Sequence, residues 1–268
     1  MIEHEEIAKL KQWLNTEPGC YARGWEQQQM THLSANVFGY HAIQIGMPHW
    51  DLLRNNRILR KWYTHTQVEA TAAGTSLVLC TPEQLPFANE SIDLLILPHV
   101  LEMSHDPHQV LREVQRVLVP EGQVILSGFN PWSLWGLRDR LPGLEGLMPV
   151  APQQQLSAWR VADWLELLSF EVTSELTGCY SPLCSQARWL QRWGFMDKLG
   201  ARWWPMFGAL YVIKATKRVS SMTLVGLDWS KKNTAPSHAH VPVATRTTHH
   251  HKGNQKNESG FNMDRWCM

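Results

Sequence analysis

The chain has 268 residues, 44% of them hydrophobic and 18% charged, and 25 Lys+Arg against 24 Asp+Glu leave a net charge of +1. That balance supports a buried core and gives no global attraction to nucleic acid or to acidic membranes. Five scattered cysteines without a CxxC pair give neither a disulfide framework nor a zinc module, so no metal is expected. The acidic start MIEHEEIAKLK is not a signal peptide, and no run approaches the ~18 to 20 apolar residues of a membrane span. The expected compartment is the cytoplasm.

Residues 1 to 35 read as a helical preface, with Ile7, Leu10 and Leu14 on one face, then a TEPGC turn and a polar QQQ stretch. HAIQI (41–45) reads as the first core strand, ending at Gly46. Asp51 to Arg60 reads as a short helix, Thr64 to Ala73 as a strand with a loose connection, and SLVLC (76–80) as a further strand. Between Leu85 and Pro131 the punctuation is complete. Ile92 to Leu97 is a buried strand, Asp106 caps a helix with Pro107 at its first position, and Val110, Leu111, Val114, Val117 and Leu118 form its apolar face. Pro120-Glu121-Gly122 stops that helix, and Val124 to Leu126 supply the next strand. Trp132 to Pro152 is a partly helical excursion. Ser157 to Ser169 is an amphipathic helix, Phe170 to Leu176 a strand, and Ala209 to Ala215 the last strand.

Strands and helices alternating over residues 36–218 specify an α/β three-layer sandwich with ligands beyond the carboxyl ends of its strands. The segments expected to line that crevice are Gly46 to Trp50, Thr81 to Phe87 and Pro98 to Met103, with Gly128 to Ser133 beside them. Residues 219–268 are polar and rich in His, Thr, Asn and Lys, and read as a disordered tail.

The stretch LPFANESIDLLILPHVLEMSHDPHQVLREVQRVLVPEGQVIL, followed by VADWLELLSFEV and ALYVIKA, resembles the class I S-adenosylmethionine-dependent methyltransferases of the type 11 group over residues 38 to 218. LPHVLE with GFNPWSLWG resembles a proteobacterial subfamily of these. The resemblance implies a Rossmann-like, mostly parallel seven-stranded sheet with the last strand antiparallel, S-adenosylmethionine as cofactor, and methyl transfer as the activity. It also implies a glycine-rich loop after the first strand, an acid after the second, and a carboxylate before LPF. Here Gly46 is the one matching glycine, Gln44 stands where the strand usually carries Asp, and Pro48 and Trp50 replace the later glycines. Glu69 is the nearest candidate acid after the second strand. Thr81 occupies the adenine-binding position, with Glu83 two residues on.

The implied cofactor residues are therefore Gln44, Gly46, Thr81, Glu83, Leu85 and Pro98. Gln44 can equally satisfy loop backbone. His99 and Glu102 follow the fourth strand, and His99 can serve as a general base on an acceptor hydroxyl or amine. The alternative is a buried polar pair that holds the loop. Asn130, Pro131 and Trp132 form a substrate wall or a simple turn. RWLQRW and ARWWPM form either a base-stacking surface or an amphipathic lid. The expected partner is a small-molecule acceptor entering under Trp132 to Trp135, with no membrane and the oligomeric state open. A non-catalytic binding module is the alternative. An RNA methyltransferase, with a basic face at Arg188, Arg192 and Arg202, is the third reading.

Overall fold

The computed structural model describes residues 2–66, 76–141, 148–181, 200 and 202–218. The expected disordered tail, the RWLQRW segment, Glu69, Arg188 and Arg192 lie outside these residues.

Two helices open the chain, α1 (Ile2–Trp13) and α2 (Glu17–Ala35). They separate at Thr16, whose hydroxyl accepts the Gly19 N–H as an N-cap, while Pro18 occupies the first turn. The TEPGC stretch expected as a turn is thus mostly the start of α2. Pro18, Ala22, Glu26, Met30 and Ser34 recur every four residues and form the buried stripe of that helix.

Seven strands form one sheet: β1 (His41–Ile45), β2 (Arg60–His65), β3 (Ser76–Leu79), β4 (Ile92–Pro98), β5 (Leu118–Phe129), β6 (Phe170–Gly178) and β7 (Leu210–Lys217). Their order is β3-β2-β1-β4-β5-β7-β6, and β7 runs antiparallel to both of its neighbours. This is the expected Rossmann-like sandwich with an antiparallel last strand. Alternate strand residues feed two cores. Ala42, Leu94, Ile96, Ile125 and Val212 pack with Leu10 of α1 and Ala22 and Met30 of α2. Ile43, Leu95, Leu97, Val124, Leu126 and Ile213 pack under α4 (Pro107–Val117) and α6 (Ala158–Leu167). Asp106 caps α4 as its sequence predicts, accepting the Gln109 N–H at 3.0 Å.

Two local expectations are corrected. Asp51 to Arg60 forms a series of turns and no helix, and β2 starts at Arg60. Asn56 replaces the helical hydrogen bonds: its amide donates to Ser34 O and Val37 O, and its carbonyl accepts the Ile58 N–H at 2.7 Å. Pro120-Glu121-Gly122 does not end α4, which stops at Val117 with Leu118 already in β5; the triad lies within that strand, with Glu121 at φ 63°. Two short helical turns complete the chain at α3 (Val100–Met103) and α5 (Leu134–Asp139). Among the described residues no helix is long and apolar enough to cross a membrane.

Candidate functional site

The strand order reverses at β1 and β4, and a crevice opens there beyond the carboxyl ends. A cavity of about 540 Å³, its mouth included, lies in it. Its walls are Gly46 and Met47 after β1, Thr64 to Thr66 at the end of β2, Cys80 and Pro82 after β3, and Pro98 to Val100 after β4. Ile7 of α1 reaches across as a further wall. Most of that space is the open mouth, and the enclosed part that a water can reach is about 50 Å³.

Of the expected site residues, Gly46, Pro98 and His99 line this cavity. Gly46 has φ +73°, and a Cβ added there would meet only Val100 Cγ2, at 3.5 Å. Its backbone is therefore open to close approach from the cavity. Thr81 is exposed and bridged to Gln84. Leu85 is buried in the second core, with its N–H donated to Glu113 at 3.0 Å. Glu83 follows the lining Pro82, and its Oε1 is buried without a hydrogen-bond partner. Thr66 Oγ1, in the cavity wall at the end of β2, is orphaned in the same way.

Gln44 is wholly buried and its amide serves the loop that follows β1. Nε2 donates to Met47 O at 2.8 Å and Trp50 O at 2.6 Å, and Oε1 accepts the Leu52 N–H at 3.2 Å. Trp50 is buried beneath this loop, and Asp51 accepts the Tyr63 hydroxyl at 2.7 Å. With three loop partners lost and buried carbonyls left unpaired, Gln44→Ala is expected to lower stability by about 2–3 kcal/mol. Urea denaturation measures this, and a change below ~0.5 kcal/mol would show that the loop holds itself.

Beneath the cavity lies a buried ionic cluster assembled from three elements. His99, at φ 53°, places Nδ1 2.9 Å from Glu102 Oε2 and Nε2 3.1 Å from Glu26 Oε2. Glu26 comes from α2. Ser127 Oγ donates to the second oxygen of Glu26, and the Phe129 N–H donates to the second oxygen of Glu102. Each carboxylate oxygen thus has one partner, and both imidazole nitrogens face a carboxylate oxygen, an arrangement that the imidazolium form satisfies. His99 also stacks on Phe129, with ring centroids 4.4 Å apart. Gly128 leaves room for this arrangement, since a Cβ there would lie 2.4 Å from the Tyr211 hydroxyl.

Burial alone would lower the His99 pKa, but the Glu26 charge and the hydrogen bonds that His99 donates to Glu102 and Glu26 raise it from 6.5 to about 10. Burial raises the Glu102 carboxyl above 4.5, against the opposing pull of His99. A raised His99 pKa contributes stability that is complete below pH 6.5 and lost as pH climbs through about 10. A raised Glu102 pKa acts in the same direction, because ionisation is penalised only in the fold. Urea midpoints should therefore fall between pH 6.5 and pH 10, and less steeply in Glu26→Gln, which removes the leading favourable charge. Equal slopes in the two proteins would contradict the assignment.

Glu26, Thr66 and Ile7 were not legible as site residues in the sequence. For Glu26 one signal existed, a lone acid within the four-residue buried stripe of α2.

Three comparisons bear on this geometry. A family model described as a methyltransferase domain matches residues 55–126. YafS of Escherichia coli (strain K12), an uncharacterised protein, is 34% identical over 206 residues, covering 76% of this chain and 80% of its own. Among solved structures, a chain of the complex between the Haloferax volcanii Trm112 methyltransferase activator and its methyltransferase superposes with a TM-score of 0.54. It is 14% identical, over 76% of this chain and 94% of that one. An S-adenosylmethionine-dependent methyltransferase from Mesorhizobium loti gives a TM-score of 0.50 at 12% identity, over 70% of this chain and 96% of its own. At these identities the structural likeness speaks for the fold.

Proposed function

The chain belongs to the class I S-adenosylmethionine-dependent methyltransferases, and from that premise we propose that it transfers the cofactor's methyl group to a small-molecule acceptor in the cytoplasm. S-adenosylmethionine is the cofactor of the family. The functional unit is residues 36–218, with α1 and α2 covering one face of its sheet. The observation that carries the reading is the cavity at the strand-order reversal, where an open glycine backbone and an orphaned hydroxyl face the same space. The near-neutral charge of the chain favours a small acceptor over a polyanion.

The residues present fit the cofactor. Gly46 offers backbone without a Cβ, and Thr66 Oγ1 in the cavity wall is a buried polar atom awaiting a partner of the kind that a ribose hydroxyl or an amino group supplies. Ile45, Pro98, Val100 and Met103 give the apolar walls. When bound, the cofactor supplies a methyl group already activated on a sulfonium, so positioning can provide much of the rate. Gln44 holds the loop that presents Gly46. His99 and Glu102 act as positioning residues: the imidazolium, gripped from both sides by carboxylates, holds Pro98 to Met103 against β5 and has no free nitrogen to accept a proton.

A second reading, a methyltransferase-like binding module without turnover, is favoured by one observation. Among the described residues lining the cavity there is no carboxylate. Incubation with methyl-labelled S-adenosylmethionine and a small-molecule extract separates the two. The proposal expects label in a new small molecule and one S-adenosylhomocysteine per transfer. Label recovered in RNA or protein would contradict the acceptor class, and absence of S-adenosylhomocysteine would favour the binding module.

A further inference from the structure

A second cavity is bounded by α1, α2 and the loop that follows β1. It measures about 870 Å³ with its mouth, and water can reach about 430 Å³ of it, against about 50 Å³ in the first cavity. One face of α1 serves both spaces: Ile7 lines the first, while Lys11 and Leu14 line the second at helical spacing from it. Met47 is a wall common to the two. It is 8% exposed at φ 47°, and its unbranched thioether is the kind of side chain that re-seats easily. Gln44 fixes the loop around it by donating to Met47 O and Trp50 O.

The polar lining has one sign. Lys11 comes from α1, Arg23 and Gln27 from α2, and His49 from the loop, and among the described residues that line the cavity there is no carboxylate. The acids nearest in the chain are placed elsewhere. Glu26 holds His99 and Ser127 in the buried cluster, Asp51 accepts the Tyr63 hydroxyl, and Glu17 is exposed in the first turn of α2 outside the lining. Arg23 is half-buried; it donates one long hydrogen bond, from Nη2 to Cys20 Sγ at 3.8 Å, and pairs with no carboxylate among the described residues. Most of the donors of its planar guanidinium thus remain for a ligand. Two cations sharing one concavity raise the potential inside it, and an anion is what that potential draws in. Leu14 and Trp50 add a buried apolar floor.

We propose that this second cavity is the acceptor site and takes a small molecule carrying a carboxylate or phosphate, with Arg23 gripping the oxyanion and Lys11 beside it. The inference rests on the methyl-transfer reading of the first cavity. The body of the acceptor lies on Leu14 and Trp50, and its nucleophilic oxygen or nitrogen reaches past Met47. There its bond to the methyl carbon forms as the carbon–sulfur bond breaks, the sulfur keeps the electron pair, and the acceptor's proton passes to water. On this proposal the acceptor enters beside α1 and α2, and not under Trp132 to Trp135.

The test titrates benzoate, its neutral analogue benzamide, and phenyl phosphate into the full chain, with saturation-transfer NMR as the readout. At least one of the two anions is expected to bind ~10-fold or more tightly than benzamide, and the tighter of them identifies the oxyanion. Arg23→Gln should weaken that binding about tenfold, Arg23→Lys should restore most of it, and Lys11→Gln should cost about threefold. Arg54→Gln, exposed and outside the lining, should bind like the wild type. Urea midpoints report folding, and Lys11→Gln carries the test if Arg23→Gln does not fold. Anions that bind no better than benzamide, or a loss in Arg54→Gln as large as in Arg23→Gln, would overturn the proposal. S-adenosylmethionine titrated alone tests the first cavity separately. Anion binding by a chain that does not bind S-adenosylmethionine would overturn the acceptor role, a failure distinct from the loss of anion binding itself.

Discussion

Replacing Glu26 by alanine should cost about 3–5 kcal/mol of folding stability, although it touches neither the cavity nor any sequence motif. The reason is the balance of the buried cluster. His99 is 1% exposed and presents a donor to each of two carboxylates, and Ser127 completes the Glu26 side. Without Glu26 the Nε2 proton and the Ser127 hydroxyl lose their acceptor in a region closed to water, and a void opens between α2 and β5. Glu17, exposed on the same helix, is the control, because Glu17→Ala should stay within ~0.5 kcal/mol. Urea denaturation at neutral pH gives both values. Equal effects would mean that the cluster is not a structural unit.

The large loss also explains what α1 and α2 are for. They precede the strand pattern, yet α2 supplies one arm of the cluster and α1 supplies Ile7 to the cavity wall. Cleavage ahead of β1 would therefore remove part of the site.

The central part of the fold was legible because its signals are local. Asp106-Pro107 caps a helix whose apolar face repeats at 3.6 residues, and Ile92 to Leu97 is a run that only a strand buried on both faces needs. β2 leaves a weaker trace, because RKWYTH has no apolar run; it begins exposed and becomes buried only toward His65. With β2 so faintly marked, Thr66 at its end could not be seen as a site residue. The connection from β1 is held by Asn56 and Gln44 reaching across 19 and 8 residues, and such side-chain crosslinks leave no periodic trace. Glu26 meets His99 across 73 residues and Ser127 across 101. No local pattern encodes that meeting.

The site residues themselves divide along the same line. Gly46 and Pro98 reach the cavity wall because they stand at the ends of β1 and β4, where the strand order reverses. The polar partners were harder, since a carboxylate or amide reveals its role only through what surrounds it. Gln44 is committed to the loop, whereas Glu83 and Thr66 keep an unpaired oxygen each.

The second large effect concerns the cavity. Gly46→Val would place a branched side chain at φ +73° on the open side of the loop, combining backbone strain with lost space. It is expected to weaken S-adenosylmethionine binding by about a hundredfold. Because this change can also disturb the loop, Thr66→Val provides the gentler counterpart. It keeps the shape, removes the orphaned hydroxyl and should weaken binding about tenfold.

Isothermal titration of S-adenosylmethionine and S-adenosylhomocysteine into the full chain and these two variants is the most direct measurement. Saturable binding of both ligands to the wild type, weakened about tenfold in Thr66→Val and about a hundredfold in Gly46→Val, is the predicted result. No binding of either ligand at millimolar concentration would contradict the account.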